Sequence, residues 1–327
     1  MIGIASTDCR VFGRTVSLLL LIFILCTVVS AQPSPRIDGG LVYLPQIDAL
    51  VTVGGWGPPD WGPSAEVWAI SGEGWTALPS APVGMAHTSA AYDSAGQRLV
   101  VMGGIIQDLF TPDLPTFAFD GTSWQEIASP VSTGEYGYDP ELIYDPVNNV
   151  IVGCFSGWEM PCQTWILQGD QWQRPQLAVE PPGGPDASFV WDEARQVGVW
   201  SNGAETWTWS GTSWTKMSPA THPQMDFGSF VMTYDSIRQV TVLYGKGETW
   251  TWDGAAWTRL SPAHIPDNPN RGFFAFGFDS SRGVAVLYGG EPADSQGDSL
   301  YDDVWEWTGE DWRPFTPVVG IEDWAIY

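Results

Sequence analysis

The sequence predicts an all-β fold of six repeated units, each made of four antiparallel strands and the whole closing into a ring. Three observations carry that prediction: an aromatic that ends an apolar strand six times over, a Val that follows each aromatic at a constant distance, and a Trp that closes every unit. A period of this kind marks a repeat architecture, in which one unit can bury its faces only against its neighbours.

The first strand of each unit ends at Tyr43, Tyr92, Tyr144, Trp191, Tyr234 or Phe278, and in every unit but the first the next residue is Asp. A polar turn follows, such as Asp93-Ser94-Ala95-Gly96, in which the Asp side chain can bond the backbone ahead of it. The second strand then resumes in fixed register: Val51, Val100, Val152, Val199, Val242 and Val286 each lie eight residues past their aromatic. Because side chains alternate along a strand, a constant offset keeps the same face inward in every unit. That strand closes on Gly54-Gly55, Gly103-Gly104 and Gly289-Gly290, with degenerate versions at Phe155-Ser156, Asn202-Gly203 and Gly245-Lys246. The third strand alternates aromatic or large apolar residues: Trp68 and Ile70, Phe117 and Phe119, Trp165 and Leu167, Trp207 and Trp209, Trp250 and Trp252, Trp305 and Trp307. Asp-Gly turns such as Asp120-Gly121 and Asp253-Gly254 lead to the fourth strand, and Asp-Gly predicts a type I′ turn, which needs positive φ at both central positions. Gly72, Gly121, Gly169, Gly211, Gly254 and Gly309 hold this place throughout. The closing tryptophans, Trp75, Trp124, Trp172, Trp214, Trp257 and Trp312, are 42 to 55 residues apart.

Glycine doublet, aromatic strand and closing Trp, repeated in phase over residues 36 to 314, resemble the kelch family. Its repeat of about 50 residues folds as one blade of a β-propeller, so the resemblance implies a six-bladed kelch-like β-propeller. Two departures stand out: the glycine doublets are lost in units three, four and five, and the Arg that often opens a kelch unit is mostly missing. A WD40 assignment fails, because Trp191-Asp192 and Trp252-Asp253 fall at different places in the unit and no Gly-His accompanies them. Galactose oxidase shares the kelch propeller, but its copper site is not matched: His87, His222 and His264 are the only histidines.

Residues 1–31 read as a signal peptide, with Arg10 and Arg14 before an apolar run from Val16 to Val29 and Val29-Ser30-Ala31 at the cleavage point; an uncleaved anchor is the alternative. The expected location is therefore secreted, periplasmic or extracellular, with residues 32–327 forming one propeller domain and no membrane span in the mature chain. The C-terminal Ile321–Tyr327 is similar to Ile37–Tyr43, and the segment 315–327 is expected to help close the ring. Setting aside Asp8, Arg10 and Arg14, the mature chain carries 11 basic and 37 acidic residues, a formal charge of −26. That balance excludes nucleic acid as a partner, because phosphate binding relies on Lys and Arg. Cys154 and Cys162, eight positions apart in an oxidising compartment, are expected to form a disulfide.

The resemblance places the first strand nearest the central axis. Five residues before the landmark aromatics stand Asp38, His87, Asp139, Asp186, Ser229 and Phe273, with Glu322 in the same place near the C-terminus. Asp38, Asp139, Asp186 and Glu322 are candidate ligands for Ca²⁺, a hard cation bound through oxygens, or else hydrated channel residues. Loops between second and third strands share this face and are long in units one, two, three and six, where Trp56, Trp61, Trp158 and Tyr301 stand beside acids. Such pairs suit sugar rings, the aromatic stacking and the carboxylate accepting hydroxyl protons; the alternative is that they fold back over the blade edges. With no nucleophile triad, phosphate loop or zinc motif, the sequence leans away from an enzyme and toward a module binding a glycan or a protein through Asp38, His87, Asp139, Asp186 and these aromatics. A hydrolase or lyase using the channel-mouth carboxylates is the second reading.

Overall fold

In the computed structural model, which describes residues 32–106, 109–110, 115–127, 129, 139–157, 160–184, 187–226, 228–292 and 299–318, the chain forms six blades of four antiparallel strands. Blade one comprises Gly40–Leu44, Ala49–Val53, Val67–Ser71 and Gly74–Ala77, and blade two Met85–Asp93, Arg98–Ile106, Thr116–Phe119 and Trp124–Ile127, with Leu109–Phe110 added beside its second strand. Blade three runs Asp139–Asp145, Val150–Gly157, Met160–Gln168 and Gln171–Gln173, and blade four Ser188–Asp192, Val197–Ser201, Thr206–Trp209 and Trp214–Lys216. Blade five runs Phe230–Asp235, Val240–Gly245, Glu248–Trp252 and Trp257–Arg259, and blade six Ala275–Asp279, Val284–Tyr288, Val304–Trp307 and Trp312–Pro314. Each first strand touches the first strands of both adjoining blades, and that of blade six returns to that of blade one. This is a six-bladed β-propeller. The expected signal segment 1–31 and the C-terminal Ile321–Tyr327 lie outside the described residues.

The constant register survives in every sheet. Val51, Val100, Val152, Val199, Val242 and Val286 sit opposite Val42, Ala91, Ile143, Val190, Thr233 and Gly277, each the residue before the landmark aromatic. All six valines are buried, and each joins the apolar cluster between its own blade and the next one. The closing tryptophans join the cluster with the blade before. One seam therefore receives a Val from one side and an indole from the other, and burying each such side chain contributes about 1.5–3 kcal/mol.

An indole removed from water needs an acceptor for its N–H. Trp172, Trp214, Trp257 and Trp312 find it across the seam in Thr116, Thr164, Thr206 and Thr249, at 3.1, 2.8, 2.9 and 2.8 Å. Each Thr stands one residue before the third-strand aromatic of the preceding blade and is itself buried. Blades one and six have Val67 and Val304 there instead. The two indoles facing those valines, Trp124 and Trp75, are only half-buried; Trp124 bonds the Pro79 carbonyl at 2.9 Å and Trp75 packs edge-on against Tyr288.

The turns between first and second strands also repeat. Asp48, Gln97, Asn149, Gln196, Gln239 and Gly283, each five residues past the landmark, all have φ between 51° and 69°. Asp145, Asp192, Asp235 and Asp279 are fully buried ahead of these turns and accept backbone N–H bonds from the turn, with Arg195, Arg238 and Arg282 closing the last three as ion pairs. The turns between third and fourth strands correct the sequence expectation. Only the glycine has positive φ at Gly121, Gly211, Gly254 and Gly309, with backbone bonds spanning Asp120 to Ser123, Ser210 to Ser213, Asp253 to Ala256 and Thr308 to Asp311, so Asp120 and Asp253, like Ser210 and Thr308, stand before the central pair and the pattern is II′. In blade one the positive φ lies at Gly74 and not at Gly72. A two-residue turn with both φ positive occurs instead at Lys246-Gly247, at 50° and 71°, joining second and third strands of blade five.

Cys154 and Cys162 form a disulfide between the second and third strands of blade three, both fully buried. Blade one takes its first strand from the N-terminal side, Gly40–Leu44, while Val318 bonds the Gly72 carbonyl at 2.8 Å, so described residues from both ends reach this blade. Among the described residues no helix is long and apolar enough to cross a membrane.

Two outcomes follow from this packing. Thr164→Val or Thr206→Val keeps the shape but strands a buried indole N–H, and each is expected to lower unfolding free energy by about 1–3 kcal/mol in denaturant titration, against less than about 0.5 for exposed Ser123→Ala; unchanged midpoints would refute the role given to the threonines. Burial raises the hydroxyls of Tyr234, Tyr244 and Tyr288, that of Tyr234 to about 12 although the Ala194 N–H partly offsets it. The folded state thus holds these protons longer than the unfolded chain, so their contribution is complete below about pH 10 and is lost as pH rises through the folded values. Tm should fall steadily above about pH 10, and a flat profile to higher pH would count against their burial.

Candidate functional site

The first strands enclose a central cavity of about 700 Å³. Its wall is lined mostly by small, apolar and aromatic residues, with Asp38 and His87 at one end and Glu193, Ser236 and Ser280 at the other. The landmark aromatics all reach this wall, while five of them also pack into seam clusters: Tyr43, Tyr92, Tyr144, Trp191 and Phe278. Glu193 is held above the ordinary carboxyl range by burial first and by the charge of Asp192 second.

At the loop end, Asp38, His87 and Phe273 occupy the same place in blades one, two and six, and all three have left-handed φ, 56°, 50° and 56°. Such a backbone is held only where surrounding bonds determine it. The Asp38 N–H donates to the Phe273 carbonyl at 3.0 Å, and the Asp38 carbonyl accepts from the Thr88 N–H at 3.2 Å, so three adjoining blades are tied at the rim. The carboxylate of Asp38 lies 3.6 Å from His87 Nε2.

Around this rim, blade one sends out a small hairpin, Trp56–Gly57 with Gly62–Pro63, whose base is fixed because Trp56 and Ile37 exchange backbone bonds at 2.8 and 3.0 Å. Trp56 is half-buried there, whereas Trp61 at the tip is exposed and has Asp60 exposed beside it. From blade six, Tyr301 bonds the Gly290 carbonyl at 2.9 Å and lays its ring over the Arg271 guanidinium at 4.5 Å. In blade three the expected long loop is largely strand instead: Val150–Gly157 and Met160–Gln168 pair past a bulge as far as Gly157 opposite Met160. Trp158, Asp186 and Glu322 lie outside the described residues, and of Asp139 only the backbone, paired with Ser156, is described. Among the described residues no group of three or more His, Cys, Asp or Glu is placed to hold a metal ion. The structure thus sets Asp38 beside His87, with Trp56 bonded to Ile37 and Tyr301 to Gly290 on the loops of blades one and six, and Trp61 exposed at the hairpin tip.

Sequence reasoning missed the two arginines that support this region. Arg36 and Arg271 each lie seven residues before a landmark aromatic, and each donates to the carbonyl of the first glycine in a doublet, Gly54 at 2.8 Å and Gly289 at 3.0 Å. Each also meets a carboxylate two residues before the third-strand Trp. Arg36 pairs with Glu66, and Arg271 grips Asp303 through both oxygens at 2.8 and 2.7 Å. The same carboxylates accept the indole N–H of Trp68 and Trp305. Burial pushes the Glu66 carboxyl up, but Arg36 and its other donors outweigh that and leave it below the ordinary value. Glycine is required at Gly289, where φ is 72° and a Cβ would lie 2.6 Å from the Arg36 carbonyl. A shared spacing in blades one and six was the available signal.

No family model matches the chain, and no curated protein does. Solved structures do. "Structure of YjhT" superposes with a TM-score of 0.57 at 14% identity, covering 86% of this chain and 98% of that one. "Structure of SapL1 lectin in complex with alpha methyl fucoside" superposes with a TM-score of 0.57 at 13% identity, covering 89% and 98%. At such identity the likeness establishes the fold.

Arg271→Lys cannot supply the two-pronged grip, and is expected to lower stability by about 1–3 kcal/mol while the solvent-facing Arg259→Lys changes it by less than about 0.5. Equal effects in thermal melts would show that the buried fork contributes nothing special.

Proposed function

We propose that this six-bladed propeller is an exported, kelch-like binding module whose loop face, around the mouth of the central channel, holds a glycan. The observation that carries the proposal is the contrast between a scaffold locked at every seam and an exposed Trp61, beside Asp60, on a hairpin at that face. Binding residues gather on loops that a rigid frame positions. An exposed indole offers a flat apolar surface to one side of a sugar ring, and neighbouring carboxylates accept its hydroxyl protons. Asp38 and His87 at the rim, with Asp139 and Asp186 from the adjoining blades, would complete the polar lining. The solved lectin with the same fold, in complex with a fucoside, supports the choice of a glycan over a protein ligand. The buried disulfide accords with an oxidising compartment and with removal of residues 1–31 as a signal peptide.

Screening the protein on a glycan array should give binding, and Trp61→Ala should weaken the best hit about tenfold or more, some 1.4 kcal/mol, with Tm unchanged because the side chain is exposed. Binding that survives the substitution intact would move the site away from this hairpin.

A further inference from the structure

Building on the reading that the loop face holds a glycan, we propose that its ligand is uncharged, and that sialylated, uronic or sulfated sugars are kept out electrostatically. After residue 31 the chain has 11 Lys and Arg, all among the described residues, and every one is in an ion pair with a carboxylate.

Their places in the fold make this decisive. Arg98, Arg195, Arg238 and Arg282 stand at the turns between first and second strands, on the face opposite the loops, each bound to the Asp that follows a landmark aromatic at 2.6–3.1 Å. Arg174, Lys216, Arg259 and Arg313 lie at the outer blade edges, paired with Glu180, Glu205, Glu248 and Glu306 at 2.5–3.5 Å. Arg174, Lys216 and Arg259 come at the ends of fourth strands and so reach the outer rim of the loop face, where Lys216 and Arg259 meet carboxylates of the turns between second and third strands, while Arg36, Lys246 and Arg271 belong to its inner part. Arg36 and Arg271 are buried. All four Nη protons of Arg271 are taken, by Gly289 O, Asp267 O and both oxygens of Asp303, and Tyr301 covers one face of its guanidinium. Arg36 donates to Ser34 O, Ser34 Oγ, Gly54 O and Glu66. Lys246 is partly exposed but is held by Asp226, itself exposed.

Guanidinium forks and ammonium groups are the side chains that bind carboxylate or sulfate most strongly, and among the described residues each of them is already paired with a carboxylate. Exposed Asp60, Asp226 and Asp302 on the same face instead add to a chain whose acids outnumber its bases 37 to 11. A surface of one sign repels a like-charged ligand and does so more strongly at low ionic strength. Sugar hydroxyls meet no such penalty, since each can donate to a carboxylate.

The test compares matched glycan pairs, such as N-acetyllactosamine and its sialylated form, or a neutral glucan and the corresponding uronic polymer, with the purified protein at about 20 mM and about 500 mM NaCl. The neutral member should bind at least about tenfold more tightly at low salt, with the gap narrowing at high salt. The double variant Asp60→Asn with Asp302→Asn should also narrow it. A charged member that binds as well as its neutral partner at low salt, or a gap that salt leaves unchanged, would overturn the electrostatic proposal while leaving a glycan-binding face in place. Absence of binding to either member of every pair would bring down the glycan reading and this inference with it.

Discussion

A hydrogen bond between an indole and a threonine, repeated across four seams, is the constraint on which the rest of this propeller is arranged. Stacked apolar faces can slide past one another at little cost, because the hydrophobic effect has no direction. A buried N–H does have direction, and leaving it without an acceptor costs more than the bond itself contributes. The indole therefore fixes where along the third strand of its neighbour each blade must sit. Valines opposite it fill the remaining volume, and the buried Asp at the other end of the first strand fixes the turn. With both ends of each blade pinned, loops between second and third strands are free to differ.

Much of this was legible because it depends on strand alternation. The six aromatics, the valines eight residues on and the closing tryptophans occupy equivalent places, and a period-two pattern in phase leaves one register open to them. The pairing of Cys154 with Cys162 was likewise readable from spacing and compartment. What escaped was whatever needed a partner from another blade. Thr116, Thr164, Thr206 and Thr249 look like ordinary strand residues until the neighbouring indole is in place. The Asp-Gly steps suggested the wrong turn because the dipeptide alone does not say whether Asp is inside the central pair or before it.

The candidate site was legible only as a rim. Shared register put Asp38 and His87 at one height, and the structure adds that both backbones, like that of Phe273, lie in the left-handed region, with Asp38 and Phe273 bonded to adjoining blades. Arg36 and Arg271 were hidden because their role arises from contacts with glycine carbonyls and with carboxylates far away in sequence. Loop length in blade three was misjudged for a related reason: extra residues lengthened two strands in place of a loop.

Where Val67 and Val304 replace threonine, the joints on both sides of blade one differ from the other four. Blades two to six form an arc with interchangeable joints, so deleting or duplicating a whole blade inside that arc would rejoin like with like. Blade one is the exception: it accepts the chain's N-terminal arm, leans on Arg36 and bears the Trp61 hairpin. The two unlike joints of the ring thus flank the blade that bears the exposed indole.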